Sequence, residues 1–358
     1  MRGCMKDAPI FEIDSIADVH WRNRYHNWLT SFQRDAEALE QAYGFDGRKI
    51  DVSFVSLSHA NATVRRDGDL YAVQIGSAFP YLLSGLFRRI MAEPDVMDWL
   101  PIDTNPTQAD SYSIVLEPSQ LQSEVTQSAA ALSPERNFVA QLLTEIAIRF
   151  VVSHEFGHIL SGHCDAAEQM TQDLTFDELS IAKRDGSRPL RRAWEIDSDL
   201  AGLRLIRDFF DGMINSAKDA EPDSLHRRVF GPPQIAVEQS ASLTTMALYC
   251  LFRHLGETRL KLEMNGDHPD PLVRAFCMRN TLIPNIKERY DVNDQLMNDI
   301  LEGRFEEFDD ALEAIGIHSA MTIDDDGIDA VNDALTAALS EHRRYISLSK
   351  QTSWVVDR

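Results

Sequence analysis

Ser133-Pro134-Glu135-Arg136-Asn137-Phe138-Val139 opens a stretch that closes on Ser153-His154-Glu155-Phe156-Gly157-His158-Ile159-Leu160. A serine able to cap, proline at the first helical position and an acid in the first turn mark a helix start. Val139, Leu143, Ile146 and Phe150 then recur at helical spacing, which predicts one long helix from Ser133 to about Gly162. Positions i and i+4 of a helix share a face, so His154 and His158 can bind one metal ion. Glu155, the residue after the first histidine, is placed to take a proton from an attacking water. HExxH arises by chance in about one chain in several dozen of this length, so its position at the end of an apolar helix matters as much as the letters.

A catalytic zinc needs a third protein ligand and an open position. One common pattern places a histidine six residues beyond the second, but that position is Cys164, and the glycine that should precede it stands at 162 rather than 161. His163 falls on a different part of the helix and reads as a surface or helix-end residue. The other common source is a glutamate on a downstream helix. Trp194-Glu195-Ile196-Asp197-Ser198-Asp199-Leu200 supplies it: Glu195 and Asp199 share one helical face between apolar flanks. Glu195 is the expected zinc ligand, with Asp199 accepting a hydrogen bond from a ligand histidine and fixing its tautomer. Taken alone, the pair would read as solvated helix charges. Asp197 competes locally but points off that face.

Upstream, Trp21, Tyr25, Trp28, Leu29 and Phe32 predict a helix over about 15–43. Residues 50–57 alternate as a half-buried strand, with further strands through 61–64 and 70–75 around an Asp67-Gly68 turn. A small antiparallel sheet follows, in which the 70–75 strand could be an edge for an extended peptide. Residues 77–95 read as helical, 113–116 as a short strand and 117–132 as a loop or weak helix. Helices are predicted over about 190–210, 233–255 and 271–287. The polar segment 164–188 reads as either a lid or an insertion, and the last ten residues as a tail.

The net charge of −22, with 57 acids against 35 bases, argues against nucleic acid, whose binders carry basic patches. No run approaches 18 uncharged apolar residues, so membrane insertion is not expected. No secretory signal is visible, and Cys4, Cys164, Cys250 and Cys277 form no paired motif. The expectation is therefore a cytoplasmic protein with reduced thiols.

HExxH, then ExxxD, then Asn265-Gly266-Asp267-His268-Pro269-Asp270-Pro271-Leu272-Val273-Arg274 stand in order over about 138–280. In these three blocks the chain resembles gluzincin metallopeptidases, most of all the group of the prenyl-protein (CAAX) endopeptidases and HtpX-type heat-shock proteases. Its length and His-Glu-Phe-Gly-His…Gly-His block also look similar to the phage-exclusion peptidase Lit. The resemblance implies that His268, with Asn265, faces the active site and stabilises the oxyanion, and that Arg274 helps or organises the site. A plain helix-start turn is the other reading of His268-Pro269. The departure is that the first group is commonly membrane-embedded.

The expected fold class is α+β: a mostly helical zincin-type metallopeptidase with a small antiparallel N-terminal sheet packed on the HExxH helix. Residues 1–132 would form the helix-and-sheet subdomain, 133–287 the zinc-binding core and 288–358 a helical extension open to an activator or oligomer partner. The expected function is a zinc-dependent endopeptidase acting on a protein or peptide through Glu155. The alternatives are a non-proteolytic regulatory or binding protein that retains a zinc site, a zinc hydrolase of small amides, and a protein without metal.

Overall fold

Tyr25, Trp28, Phe32, Ala36 and Leu39 lie buried along one face of α1 (Val19–Tyr43) in the computed structural model. The structure describes residues 8–102, 114–121, 132–170, 176–177, 188–261, 269–318, 353–354 and six positions between 333 and 340. The Asp18 side chain accepts from the Trp21 amide at 3.0 Å to cap α1, and Gly44 ends it with a φ of 72°.

Three strands follow: β1 (Lys49–Val55), β2 (Ala62–Asp67) and β3 (Leu70–Gly76). Then come α2 (Phe79–Ile90), the short α3 (Pro118–Leu121), α4 (Pro134–Leu160) and α5 (His163–Met170). A two-residue β4 (Phe176–Asp177) precedes α6 (Arg188–Leu205), α7 (Arg207–Lys218) and α8 (Leu225–Phe230). The long α9 (Ala236–Lys261), α10 (Pro271–Lys287) and α11 (Asp294–Ala314) follow. The chain is thus mostly helical with one small sheet, an α+β fold.

The sheet is mixed, not antiparallel as expected. Its order is β1-β3-β2-β4: β2 and β3 form the antiparallel hairpin, but β1 pairs with β3 in parallel. β3 is the central strand, so it offers no edge to a peptide. Its burial is nearly continuous, whereas β1 alternates. Strands covered on both faces are buried in this continuous way, and half-covered strands alternate. The strand expected over 113–116 reduces to one bridge, Val115 to His59.

α1 packs along β1, while α4 packs against β2 and β3. The Trp28 indole N–H donates to Glu145 on α4 at 2.7 Å, tying the two helices together. Ser133 caps α4 by accepting from the Arg136 amide at 3.3 Å, with Pro134 at the first helical position. α4 is buried on nearly every side from Ile146 to Leu160, as befits a helix apolar all round. The helix expected over about 190–210 is interrupted at Ile206, where α6 gives way to α7.

Buried apolar side chains from Phe11 to Ile317 form one continuous cluster. α11 joins it by packing on α9, through a Tyr249–Phe305 edge contact at 5.1 Å and an Arg253–Asp309 ion pair. Ser353 and Trp354, from the region read as a tail, dock behind α4. The Trp354 amide donates to the Leu160 carbonyl at 2.9 Å, and its ring meets Phe45 edge-on at 5.3 Å. Among the described residues, no helix is long and apolar enough to cross a membrane.

Candidate metal centre

α4 and α6 cross where each has a glycine. A Cβ built on Gly157 would lie 2.8 Å from the Ser198 carbonyl oxygen, and one on Gly202 would lie 2.9 Å from the His154 amide nitrogen. Only bare backbone lets the helices come this close, and the close approach carries Glu195 to the two histidines. Gly157→Ala and Gly202→Ala should each destabilise the fold by about 1–3 kcal/mol through overpacking, and weaken metal binding with it. Gly212, inside α7, has nothing within 4 Å of its Cβ position. Gly212→Ala should instead be neutral or stabilise by up to about 1 kcal/mol through helix propensity. Melting curves and zinc titrations of the three variants check this opposition of sign.

His154 Nε2 and His158 Nε2 face each other at 3.1 Å. Glu195 places Oε2 at 3.4 Å from the first and Oε1 at 3.6 Å from the second. Ligand atoms bound tetrahedrally at zinc distances stand about 3.3 Å apart, because the edge of a tetrahedron is fixed by the bond length of about 2.0–2.1 Å. The two imidazole nitrogens and the nearer Glu195 oxygen on each side lie close to that separation. They form the one group of histidine, cysteine and acidic side chains among the described residues arranged to hold a metal ion. Two imidazole nitrogens and one carboxylate fit zinc and also suit other divalent transition ions such as iron(II).

Behind His154 stands Asp199, its Oδ1 at 2.8 Å from Nδ1. An ionised carboxylate only accepts, so Nδ1 carries the proton and Nε2 is left with its lone pair for a metal. Arg274 holds Asp199 in turn, donating from Nε to Oδ2 at 2.9 Å and from Nη2 to Oδ1 at 2.7 Å. Its guanidinium lies over the Phe252 ring at 4.4 Å. α10 sets Arg274 there: Asp270 caps the helix by accepting from the Leu272 amide at 2.8 Å, and Pro271 packs on Gly256 of α9. Arg274 thus reaches the histidines through Asp199. His268 and Asn265 lie outside the described residues.

Glu155 is buried on α4 between the two histidines and belongs to no donor group. Burial pushes the Cys164 thiol well above its usual pKa, with Asp165 and Glu155 adding to the effect. His163, read as a surface or helix-end residue, stands at a helix start but is buried, at 0% exposure. α4 ends at Leu160, and Gly162, at a φ of 72°, turns the chain so that His163 starts α5 over His158. The two Nδ1 atoms are 3.0 Å apart. On its other side His163 Nε2 is 3.2 Å from Asp197 Oδ2. Burial lowers its pKa, partly opposed by Asp197, and so favours a neutral ring.

No protein-family model, no curated protein and no solved structure matches this chain.

Proposed function

We propose that the chain is a zinc-dependent endopeptidase with His154, His158 and Glu195 as ligands and Glu155 as general base. The observation that carries the reading is the spacing of the three donor atoms beside a buried acid that is not one of them. A bound zinc ion supplies Lewis acidity, making a water nucleophilic near neutral pH and polarising a substrate carbonyl. Asp199, held by Arg274, keeps the His154 lone pair aimed at the ion. Glu155 accepts the proton of the attacking water and passes it to the nitrogen of the leaving amine as the peptide bond breaks. The gluzincin resemblance gives this same set of roles. The free thiols of Cys164, Cys250 and Cys277 suit action in the reducing cytoplasm.

One observation favours a second reading. His154, Glu155 and His158 are each 1% exposed and Glu195 only 6%, so these side chains offer little surface to a polypeptide. Such burial fits a regulatory or binding protein that retains its metal. Two measurements separate the readings. The endopeptidase binds one zinc per chain, loses it in His158→Ala, and generates new protein N-termini in cells that are missing from cells expressing Glu155→Gln. Stoichiometric zinc with identical N-termini in both cell populations would favour the binding protein.

A further inference from the structure

We infer that His163 and Asp197 form a positioning relay for the ligand His158, separate from the Asp199–Arg274 support behind His154. The inference rests on the reading of His154, His158 and Glu195 as metal ligands.

Proton positions follow from the partners. To bind a metal through Nε2, His158 must carry its proton on Nδ1. That proton points at His163 Nδ1, 3.0 Å away, which then has to be the acceptor. A neutral His163 that accepts at Nδ1 carries its own proton on Nε2, and Nε2 faces the Asp197 carboxylate at 3.2 Å. In that tautomer donors and acceptors alternate through both rings, with Asp197 at ion-pair distance, 3.2 Å, from the outer nitrogen. Ser198 Oγ, 3.2 Å from His163 Nδ1, is a second polar neighbour of that atom. The Trp194 indole stacks on the His163 ring at 5.1 Å and 21°, fixing its plane.

The arrangement has an electrostatic logic. Glu195 already brings one negative charge to the centre, and the charge of Asp199 is matched by Arg274. A carboxylate directly behind His158 would add another buried negative charge beside those of Glu155, Glu195 and Asp199. A neutral imidazole accepts the same hydrogen bond, and the charge moves one ring outward to Asp197, whose side chain keeps 21% of its surface in water. Trp194, Glu195, Asp197 and Asp199 lie within one stretch of α6, so a single helix carries a metal ligand and a support for each histidine.

The test uses the zinc-loaded, full-length chain with histidine nitrogens labelled. Long-range proton–nitrogen NMR should place the His158 proton on Nδ1 and the His163 proton on Nε2. A His163 proton on Nδ1 would overturn the relay. Variants give an independent arm. His163→Asn keeps an acceptor near the Nδ1 position and should retain most of the zinc affinity, measured by competition with a chromophoric chelator. His163→Leu offers no acceptor and should lose about 10–100-fold, the usual effect of removing a partner behind a metal ligand. Equal losses in both variants, or none in Leu, would refute the relay while leaving the metal site standing. Wild type that takes up no zinc would instead sink the metal reading itself.

Discussion

Glu155→Gln should leave one zinc bound per chain and lower peptide turnover by about 10²–10⁴-fold, the span that a positioned general base contributes. Glutamine matches glutamate in shape, so the α4 packing around residue 155 is preserved. It cannot accept the proton of the attacking water or return it to the leaving amine. Since Glu155 is outside the donor group formed by His154, His158 and Glu195, metal retention is expected. Zinc content by elemental analysis, read beside the cleavage rate of a substrate found in cells, checks both halves. Turnover equal to wild type would remove Glu155 from the mechanism. Loss of zinc along with turnover would make it a ligand.

Arg274→Met should destabilise the fold by about 3–5 kcal/mol. Methionine fills much of the space over Phe252 but leaves the Asp199 carboxylate buried without its two charged hydrogen bonds. Removing one partner of a buried pair costs far more than the pair contributes, because the remaining charge stays desolvated. Zinc affinity should fall too, since Asp199 orients His154. Lys287→Met is the matched control: Lys287 pairs with Asp294 at 2.8 Å, but both side chains are well exposed. Its loss should cost under about 1 kcal/mol. Similar melting points for the two variants would show that the Arg274 pair does not hold the core.

Much of this could be read locally. The cap at Ser133, the apolar spacing of α4 and the aromatic stripe of α1 are helix-period patterns, and they appear where expected. α10 could be read from Asp270-Pro271, a cap followed by proline. What escaped depends on pairing between distant segments. Strand alternation says which face is buried but not which neighbour a strand takes, so the parallel β1–β3 pairing was hidden. The nearly unbroken apolar run of β3 was the one hint of its central place. The break at Ile206 has no glycine or proline to announce it. His163 was misplaced because the helix was extended through Gly162, where a left-handed φ turns the chain back. The glycines at the crossing, Gly157 and Gly202, carry no local signal of what they touch, and only the assembled pair of helices gives them a reason.

The docking of Ser353 and Trp354 on the Leu160 carbonyl also imposes an order in time. Ser353 is 193 residues downstream of Leu160, so a ribosome working at about 5–20 residues per second delivers it roughly 10–40 s after the end of α4. Until then the rear of α4 has neither the Trp354 ring against Phe45 nor its amide on the last turn. A nascent chain stalled before residue 353 should exchange the final-turn amides of α4 faster than the released protein does. Equal exchange in both would mean that α4 closes without waiting for the docking segment.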